Sequence, residues 1–312
     1  MKLKTINSIL CKKFDSWVET ITDVELRKQV KGNTICTGGA IASMLLNEEI
    51  NDFDFYFRDF ETTLAVAKYY VGKFKANPPP KFGSGGEVEI RVDTKPDTEQ
   101  TGKQRVIVVV KSVGVASSEG EEGYEYFESQ PDGQATEYVA QVLDNVEEEK
   151  KKKSEKPTYH PRFLSANAIS LSDDIQVVVR FYGEPTEIHT NYDYVHVTNF
   201  WTSWDRIVTV NQAALLSLMN KDLRYVGSRY PLCSLFRMRK FIGRGWKITA
   251  GQVLKIAVNL QHYNLLDIAV LEEQLTGVDV AYFNDLIRRL QEKGNDTSVD
   301  EAYLSELIDK LF

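Results

Sequence analysis

Residues Thr37 to Phe57 read TGGAIASMLLNEEINDFDFYF, which places a Gly-Gly turn and a short helix ahead of two acids on an apolar strand. Gly38 and Gly39 can turn without the steric penalty of a Cβ atom, and the residues after them favour a helix. Side chains alternate along the strand that follows, so Asp52 and Asp54 share one face, roughly 7 Å apart. The sequence therefore predicts an acid pair that suits Mg²⁺, because this ion prefers oxygen ligands.

This segment resembles the active-site signature of the DNA polymerase β-like nucleotidyltransferase superfamily. The nearest pattern is that of CCA-adding enzymes and bacterial poly(A) polymerases: Gly-Gly-x-Val-Arg-Asp-x-Leu-Leu, a short connection, then Asp-x-Asp. Gly38, Gly39 and Leu46 keep that spacing here, whereas Ala42 and Ser43 replace the Arg-Asp of the family. The resemblance implies transfer of a nucleoside monophosphate from a nucleoside triphosphate (NTP) to an acceptor hydroxyl, with release of pyrophosphate.

The same resemblance implies the metal ligands. The acid pair, Asp52 and Asp54, would bind two Mg²⁺ ions, for which Mn²⁺ can substitute. Polymerase β-like enzymes take a third carboxylate from a strand beside the Asp-x-Asp strand, and Asp193, in a strand predicted over residues 192–198, is the candidate here. Asp173 and Asp174, at the start of another predicted strand, are the alternatives and can equally be turn residues.

Two groups of residues are candidates for nucleotide binding. Gly38, Gly39 and Ser43 would hold the β- and γ-phosphates through backbone amides and a hydroxyl at the start of the helix.

The second group lies in residues 229–249, RYPLCSLFRMRKFIGRGWKIT, which resemble the neck helix of CCA-adding enzymes. The resemblance implies that Arg237 and either Arg239 or Lys240 contact the base or the triphosphate, because a guanidinium matches base edges and phosphate oxygens. The alternative is a basic helix face beside an apolar core stripe.

Periodicity along the rest of the chain predicts an α+β protein: a mixed β-sheet nucleotidyltransferase palm with a large insertion, followed by a helical domain. The catalytic domain is predicted over residues 1–205, with the insertion at roughly 78–165, and the helical neck and C-terminal domain over 206–312. Helices are predicted over residues 6–29, 60–74, 184–190, 207–219, 232–242, 250–260, 265–275, 282–290 and 299–311. Strands are predicted over 87–92, 105–111, 166–171, 175–181 and 192–198.

Composition narrows the classes of protein. At 312 residues and 42% hydrophobic, the chain can bury a full core, and it has no apolar run of membrane-spanning length and no signal-peptide pattern. We therefore expect a cytoplasmic protein without a membrane partner, in the bacterial host cytoplasm if a bacteriophage encodes it, a source that a compact member with an insertion would suit. Cys11, Cys36 and Cys233 lack metal-binding spacing, so we expect buried thiols and no structural zinc.

The acceptor cannot be read from the residues. An RNA 3′ end, with tRNA as the candidate, follows from the motif and neck resemblances, and a net charge of −7 argues only against indiscriminate DNA coating. Nucleotidylation of a protein or a small molecule is one alternative, and a catalytically inactive binding module is another. The oligomeric state and the preferred base stay open.

Overall fold

The computed structural model describes residues 1–77, 87–97, 102–113, 158–164 and 167–267, together with the single residues 270, 271, 274, 302 and 305. The described residues form two compact units. The first contains residues 1–189 and Val197–Asn211, and the second contains Thr190–His196 and the residues from Gln212 onward.

A seven-stranded sheet organises the first unit, with the strand order β5-β6-β7-β2-β1-β8-β9. Strands β2 and β7 run parallel, whereas the other neighbouring pairs are antiparallel, so the sheet is mixed. The predicted α+β class is therefore confirmed. The strands of this unit are β1 (Thr34–Thr37), β2 (Phe53–Phe57), β3 (Glu87–Pro96), β4 (Gln104–Val113), β5 (Pro161–Leu164), β6 (Ala168–Leu171), β7 (Ile175–Tyr182), β8 (Phe200–Thr202) and β9 (Val208–Thr209).

Five helices are described in this unit: α1 (Leu3–Glu19), α2 (Val24–Asn33), α3 (Gly39–Leu46), α4 (Phe60–Ala76) and α5 (Pro185–His189). The single helix predicted over residues 6–29 is wrong, because the chain leaves the helix after Glu19 and Asp23 starts a new one. The carboxylate of Asp23 accepts a hydrogen bond from the Leu26 amide at 3.0 Å, which caps α2. The helices predicted over 60–74 and 184–190 are confirmed.

Helix α1 covers one face of the sheet through aromatic side chains. Trp17 stacks on Phe55 of β2 with ring centroids 5.0 Å apart, and Phe14 lies 5.2 Å from Trp201 of β8. Phe53 also belongs to this core. Because side chains alternate along β2, the acidic side chains of that strand point to the opposite face, as predicted.

The insertion contributes an antiparallel hairpin of β3 and β4, which forms a separate two-stranded sheet and confirms the strands predicted over residues 87–92 and 105–111. Asp97, just after β3, pairs with Arg180 of β7 at 2.9 Å, and both side chains are almost fully buried. This buried ion pair ties the hairpin to the main sheet. Residues 114–157 of the predicted insertion lie outside the described residues.

The second unit is mostly helical, with α6 (Gln212–Asn220), α7 (Pro231–Gly243) and α8 (Ala250–Leu260), and a parallel pair of short strands, β10 (Asp222–Leu223) and β11 (Lys247–Ile248). Helices predicted over 232–242 and 250–260 are confirmed, and the one predicted from 207 begins at Gln212. The three helices predicted beyond residue 264 lie wholly or partly outside the described residues. Within the described residues, no helix combines the length and the apolarity needed to cross a bilayer.

The strand predicted over residues 192–198 is wrong. Tyr194 makes one isolated bridge to Tyr225, and Val195–Val197 form a turn of 3-10 helix. The Val195 amide donates to the Arg224 carbonyl at 3.0 Å, so the backbone makes a short pairing within the second unit and then turns into the 3-10 helix. Asp193 thus lies on neither of the strands that flank β2, which are β1 and β7.

Candidate active site

The Gly-Gly turn connects β1 to α3, and its two glycines differ. Gly38 has a φ of 103°, a conformation that residues with a Cβ atom rarely adopt. Its amide donates to the Val197 carbonyl at 3.2 Å and is thereby occupied. Gly39 is exposed, and a Cβ atom added there would meet nothing within 4 Å. The open space lies at the first turn of α3, where backbone amides have no partners within the helix.

The predicted phosphate contacts are therefore unequal. Gly39 can offer an amide to an anion, whereas Gly38 shapes the turn and spends its own amide on the fold. Ser43 lies one helical turn further and is partly exposed. Ala42, which replaces the arginine of the resembling motif, is buried, so that position packs against the core.

The acid pair lies beside this turn. Strands β1 and β2 are antiparallel with Cys36 opposite Phe55, so the turn after β1 and the acids at the start of β2 lie at the same end of both strands. Asp54 is within β2 and Asp52 immediately precedes it; both side chains are partly exposed. The structure brings together Gly38, Gly39 and the acid pair, as predicted from their order in the sequence.

Electrostatics confirm that the two carboxylates are close. Burial raises the pKa of Asp54 well above its usual value, and the charge of Asp52 raises it further. Burial and the charges of Asp54 and Asp52 also raise the pKa of the Cys36 thiol, the buried neighbour on β1. Two acids that repel each other in a partly buried site are stabilised by a divalent cation.

The acid pair fits Mg²⁺ by the chemistry of its donors. Mg²⁺ is commonly held by one or two carboxylates together with water and phosphate oxygens. In the described part of the first unit, no third aspartate, glutamate, histidine or cysteine joins the pair as a group of metal ligands. The other ligands within this unit would therefore be water and the phosphates of a substrate.

The strand beside the acid pair carries a residue that the sequence analysis missed. Asp54 is paired with Gln176 of the parallel strand β7, and the Gln176 side-chain amide donates to Asp54 Oδ1 at 3.0 Å. This hydrogen bond opposes the rise in the pKa of Asp54. The only sequence signal is a single polar residue in the apolar run IQVVV.

Asp173 and Asp174, the alternatives for the third carboxylate, form the turn between β6 and β7. They follow Ser172 in the three-residue loop that joins Leu171 to Ile175, and both have positive φ, at 60° and 58°. The Asp174 carbonyl accepts a hydrogen bond from the Phe53 amide at 2.8 Å, which anchors the turn to the start of β2.

His189 contacts Thr37, the residue that immediately precedes the Gly-Gly turn. His189 Nε2 lies 2.8 Å from Thr37 Oγ1, and that hydroxyl also lies 2.9 Å from the Asn199 carbonyl. A carbonyl can only accept, so Thr37 donates to Asn199 and accepts from the Nε2–H of His189. Burial lowers the pKa of His189 to about 4, which keeps the imidazole neutral near pH 7.

The remaining candidates lie in the second unit. Arg237 of α7 pairs with Asp193 at 2.6 Å, and the Asp193 side chain is only 8% exposed. Arg239 and Lys240, on the same helix, are exposed. The predicted third carboxylate is thus held by the arginine that the sequence analysis assigned to the nucleotide.

His196 is a packing residue in this unit. It is 1% exposed, and its ring centroid lies 4.5 Å from that of Trp246 and 4.7 Å from that of Phe241. Neither ring nitrogen has a hydrogen-bond partner among the described residues. Burial lowers the pKa of His196 to about 4.

A sequence profile of one protein family, described as Gabija anti-defense 2 family protein (Gad2), matches residues 8–221. No curated protein matches the sequence. Among solved structures, a tRNA-processing enzyme with CTP is similar at 12% identity and a TM-score of 0.37, over 86% of this chain and 56% of that one.

Two CCA-adding enzymes are similar at the same level. The Thermotoga maritima enzyme complexed with tRNA has 10% identity and a TM-score of 0.37, over 89% of this chain and 53% of its own. The Bacillus stearothermophilus enzyme in complex with CTP has 13% identity and a TM-score of 0.35, over 86% and 50%. The chain thus spans about half the length of these structures.

Proposed function

The chain belongs to the Gabija anti-defense 2 family, and we propose that it performs this anti-defence role as a metal-dependent nucleotidyltransferase. One observation carries the proposal: the open first turn of α3 at Gly39 and the carboxylates of Asp52 and Asp54 lie at the same end of neighbouring strands. Helix amides that attract phosphate and acids that attract a divalent cation are the two halves of a site for a metal-bound triphosphate.

Each residue has a separate role in this proposal. Asp52 and Asp54 hold the cations, and Gly39 with Ser43 binds the β- and γ-phosphates, whereas a third carboxylate from Asp193 stays a prediction of the motif resemblance. Bound Mg²⁺, or Mn²⁺ in its place, neutralises phosphate charge and makes an acceptor hydroxyl a better nucleophile. The acceptor hydroxyl gives its proton to water, its oxygen bonds to the α-phosphorus, and the bond from the α-phosphorus to the oxygen that bridges to the β-phosphate breaks. Pyrophosphate then leaves opposite the attacking oxygen.

Gly38 and His189 act on the shape of the site. Gly38 gives the turn its positive φ, and His189 holds the Thr37 hydroxyl beside it. For base contact we favour Arg239, which is exposed on α7, over Arg237, which is engaged with Asp193.

Two observations bear on the identity of the acceptor, and they favour different molecules. The sequence motif resembles RNA-tailing enzymes and favours an RNA 3′ end, with tRNA as the first candidate. The family description favours an acceptor within the Gabija defence itself, and hence nucleotidylation of a protein. Both acceptors place the reaction in the cytoplasm of a bacterial host, and an anti-defence role suits a bacteriophage source.

The proposal is tested by supplying Mg²⁺ and each α-labelled NTP in turn with total tRNA, with purified Gabija proteins, or with no acceptor. Wild-type protein should label one acceptor, and Asp52→Asn and Asp54→Asn should each lower labelling by at least about 100-fold, because each removes a cation ligand. An absence of label on all acceptors, or near wild-type labelling by either variant, would contradict the proposal.

Stability measurements separate a lost ligand from a lost fold. Because the pKa of Asp54 is raised in the folded protein, its charge opposes folding at neutral pH. Asp54→Asn should therefore keep the wild-type melting temperature or raise it.

A further inference from the structure

We propose that Gln176 is a positioning residue for the cation ligand Asp54. The inference rests on the proposed function, because it assumes that the acid pair binds a divalent cation. It adds a residue on a different strand, separated from Asp54 by 122 positions in the sequence.

The position of Gln176 follows from the register of two parallel strands. Phe53 pairs with Ile175, Asp54 with Gln176, and Phe55 with Val177. Ile175 and Val177 are fully buried, as Phe55 is, so Gln176 lies with Asp54 on the opposite, acidic face of the sheet. Partners side by side in a parallel pair are close enough for their side chains to bond.

The hydrogen bond limits how Asp54 can bind a cation. The Gln176 amide occupies Oδ1 at 3.0 Å, which fixes the plane of the carboxylate and leaves Oδ2 to the cation. A ligand held in this way does not lose rotational freedom when the cation binds. Mutation of a residue that hydrogen-bonds to a metal ligand commonly lowers metal affinity by about 10- to 100-fold.

The side chain at this position has to be an uncharged donor. An apolar residue would leave the Asp54 carboxylate without its hydrogen bond in a partly buried site. An acid would add a third negative charge beside the carboxylates of Asp52 and Asp54, with no donor for the Asp54 oxygen. Glutamine holds the carboxylate and adds no charge, so the site can fold before a cation arrives.

The test measures Mn²⁺ binding to the full chain without nucleotide, from the electron paramagnetic resonance signal of free Mn²⁺. Gln176→Met keeps the length of the side chain and removes the donor, and should weaken Mn²⁺ binding by about 10-fold or more. Gln29→Met, an equivalent change at an exposed position on α2, should leave binding unchanged. Asp54→Asn should abolish binding.

Gln176→Glu is the second variant and has the shape of glutamine. Its charge should lower the melting temperature of the metal-free protein, and it should bind Mn²⁺ more tightly than Gln176→Met because a third carboxylate faces the ion. A lower melting temperature together with tighter Mn²⁺ binding than in Gln176→Met would distinguish an effect on the cation site from a loss of packing.

Wild-type affinity in Gln176→Met would overturn the role of Gln176 and leave the proposed function standing. A wild-type protein that binds no Mn²⁺ would overturn the cation site itself, and the role of Gln176 with it.

Discussion

Gly38 and Gly39 are adjacent, yet the fold requires glycine only at position 38, whereas we assign the glycine at position 39 to the proposed phosphate site. Gly38→Ala forces a Cβ atom into a conformation with φ of 103° and should cost about 1 to 3 kcal/mol of stability. Gly39→Ala fits the helix and should leave stability unchanged or slightly higher, since alanine is the better helix former. The new methyl group would, however, occupy the open space where we place the phosphates.

Chemical denaturation and NTP binding together check this pair of variants. We expect Gly38→Ala to lower the free energy of unfolding. We expect Gly39→Ala to lower NTP affinity and to leave the free energy of unfolding unchanged or slightly higher. Full NTP affinity in Gly39→Ala would contradict the placement of phosphate at the first turn of α3.

At the scale of residues, the acid pair at β2 could be predicted from the sequence, whereas the residues that contact this strand from other strands could not. Asp52 and Asp54 could be placed on one face because alternation along a strand is local. Gln176 could not, since the pairing of β2 with β7 depends on tertiary packing across more than a hundred residues. The occupied amide of Gly38 was missed for the same reason, because its acceptor is Val197.

At the scale of elements, α7 carries one arginine engaged with an acid and one exposed arginine. Arg237→Ala would leave the buried carboxylate of Asp193 without its arginine partner and should cost about 1 to 3 kcal/mol, most of which Asp193→Asn should restore in the double variant. Arg239→Ala should keep stability and change the relative kcat/KM for ATP, CTP, GTP and UTP. Without the guanidinium donor of Arg239, the enzyme would lose a hydrogen bond that distinguishes one base from another.

Thermal unfolding and those four kcat/KM values are the measurements. If the ratios of kcat/KM among the four nucleotides are the same in Arg239→Ala as in the wild type, Arg239 does not select the base. An Arg237→Ala variant as stable as the wild type would remove the structural role of the ion pair.

A second prediction at this scale concerns His196 in its aromatic surroundings. Its pKa falls from 6.5 to about 4 on folding because of burial, with the charge of Asp193 in opposition. The unfolded chain therefore binds the proton first: the stabilisation is complete above pH 6.5 and is lost as the pH falls towards 4. Between about pH 7.5 and about pH 5.5, this histidine should remove about 1 kcal/mol of stability.

His196→Phe should remove this contribution and leave the similar one of His189, because both ring nitrogens of His196 lack hydrogen-bond partners among the described residues and a phenyl ring keeps the contacts. His262→Phe, at an exposed position, is the matched control. An unfolding free energy whose pH dependence is the same in wild type and His196→Phe would contradict the prediction.

The elements predicted correctly are those whose periodicity is strong and whose ends carry local signals, such as α4 and α7. The long helix predicted at the amino terminus failed because a helical stripe continues across the break that Asp23 caps. The strand predicted over residues 192–198 failed because alternating aromatic and polar residues also suit a bridge followed by a turn. Tyr194 and His196 instead pack with rings of the second unit.

At the scale of the whole molecule, the chain belongs to the Gabija anti-defense 2 family and has a Gly-Gly turn and an acid pair at the same end of neighbouring strands. The division into catalytic and helical domains at residue 205 stays a prediction, as do the acceptor and the metal ions. The family profile covers residues 8–221, which include the acid pair, the Gly-Gly turn and Asp193. The account therefore predicts that the family's role depends on catalysis rather than on binding alone.

The most direct measurement of that claim is phage plating on bacteria that carry the Gabija defence and express either wild-type protein or the Asp52→Asn, Asp54→Asn double variant. Expression levels and melting temperatures are matched beforehand. The account predicts that the wild type restores plating and that the double variant does not, because both cation ligands are lost while the fold is kept. A double variant that restores plating as well as the wild type would contradict it, and the protein would then act as a binding module without catalysis.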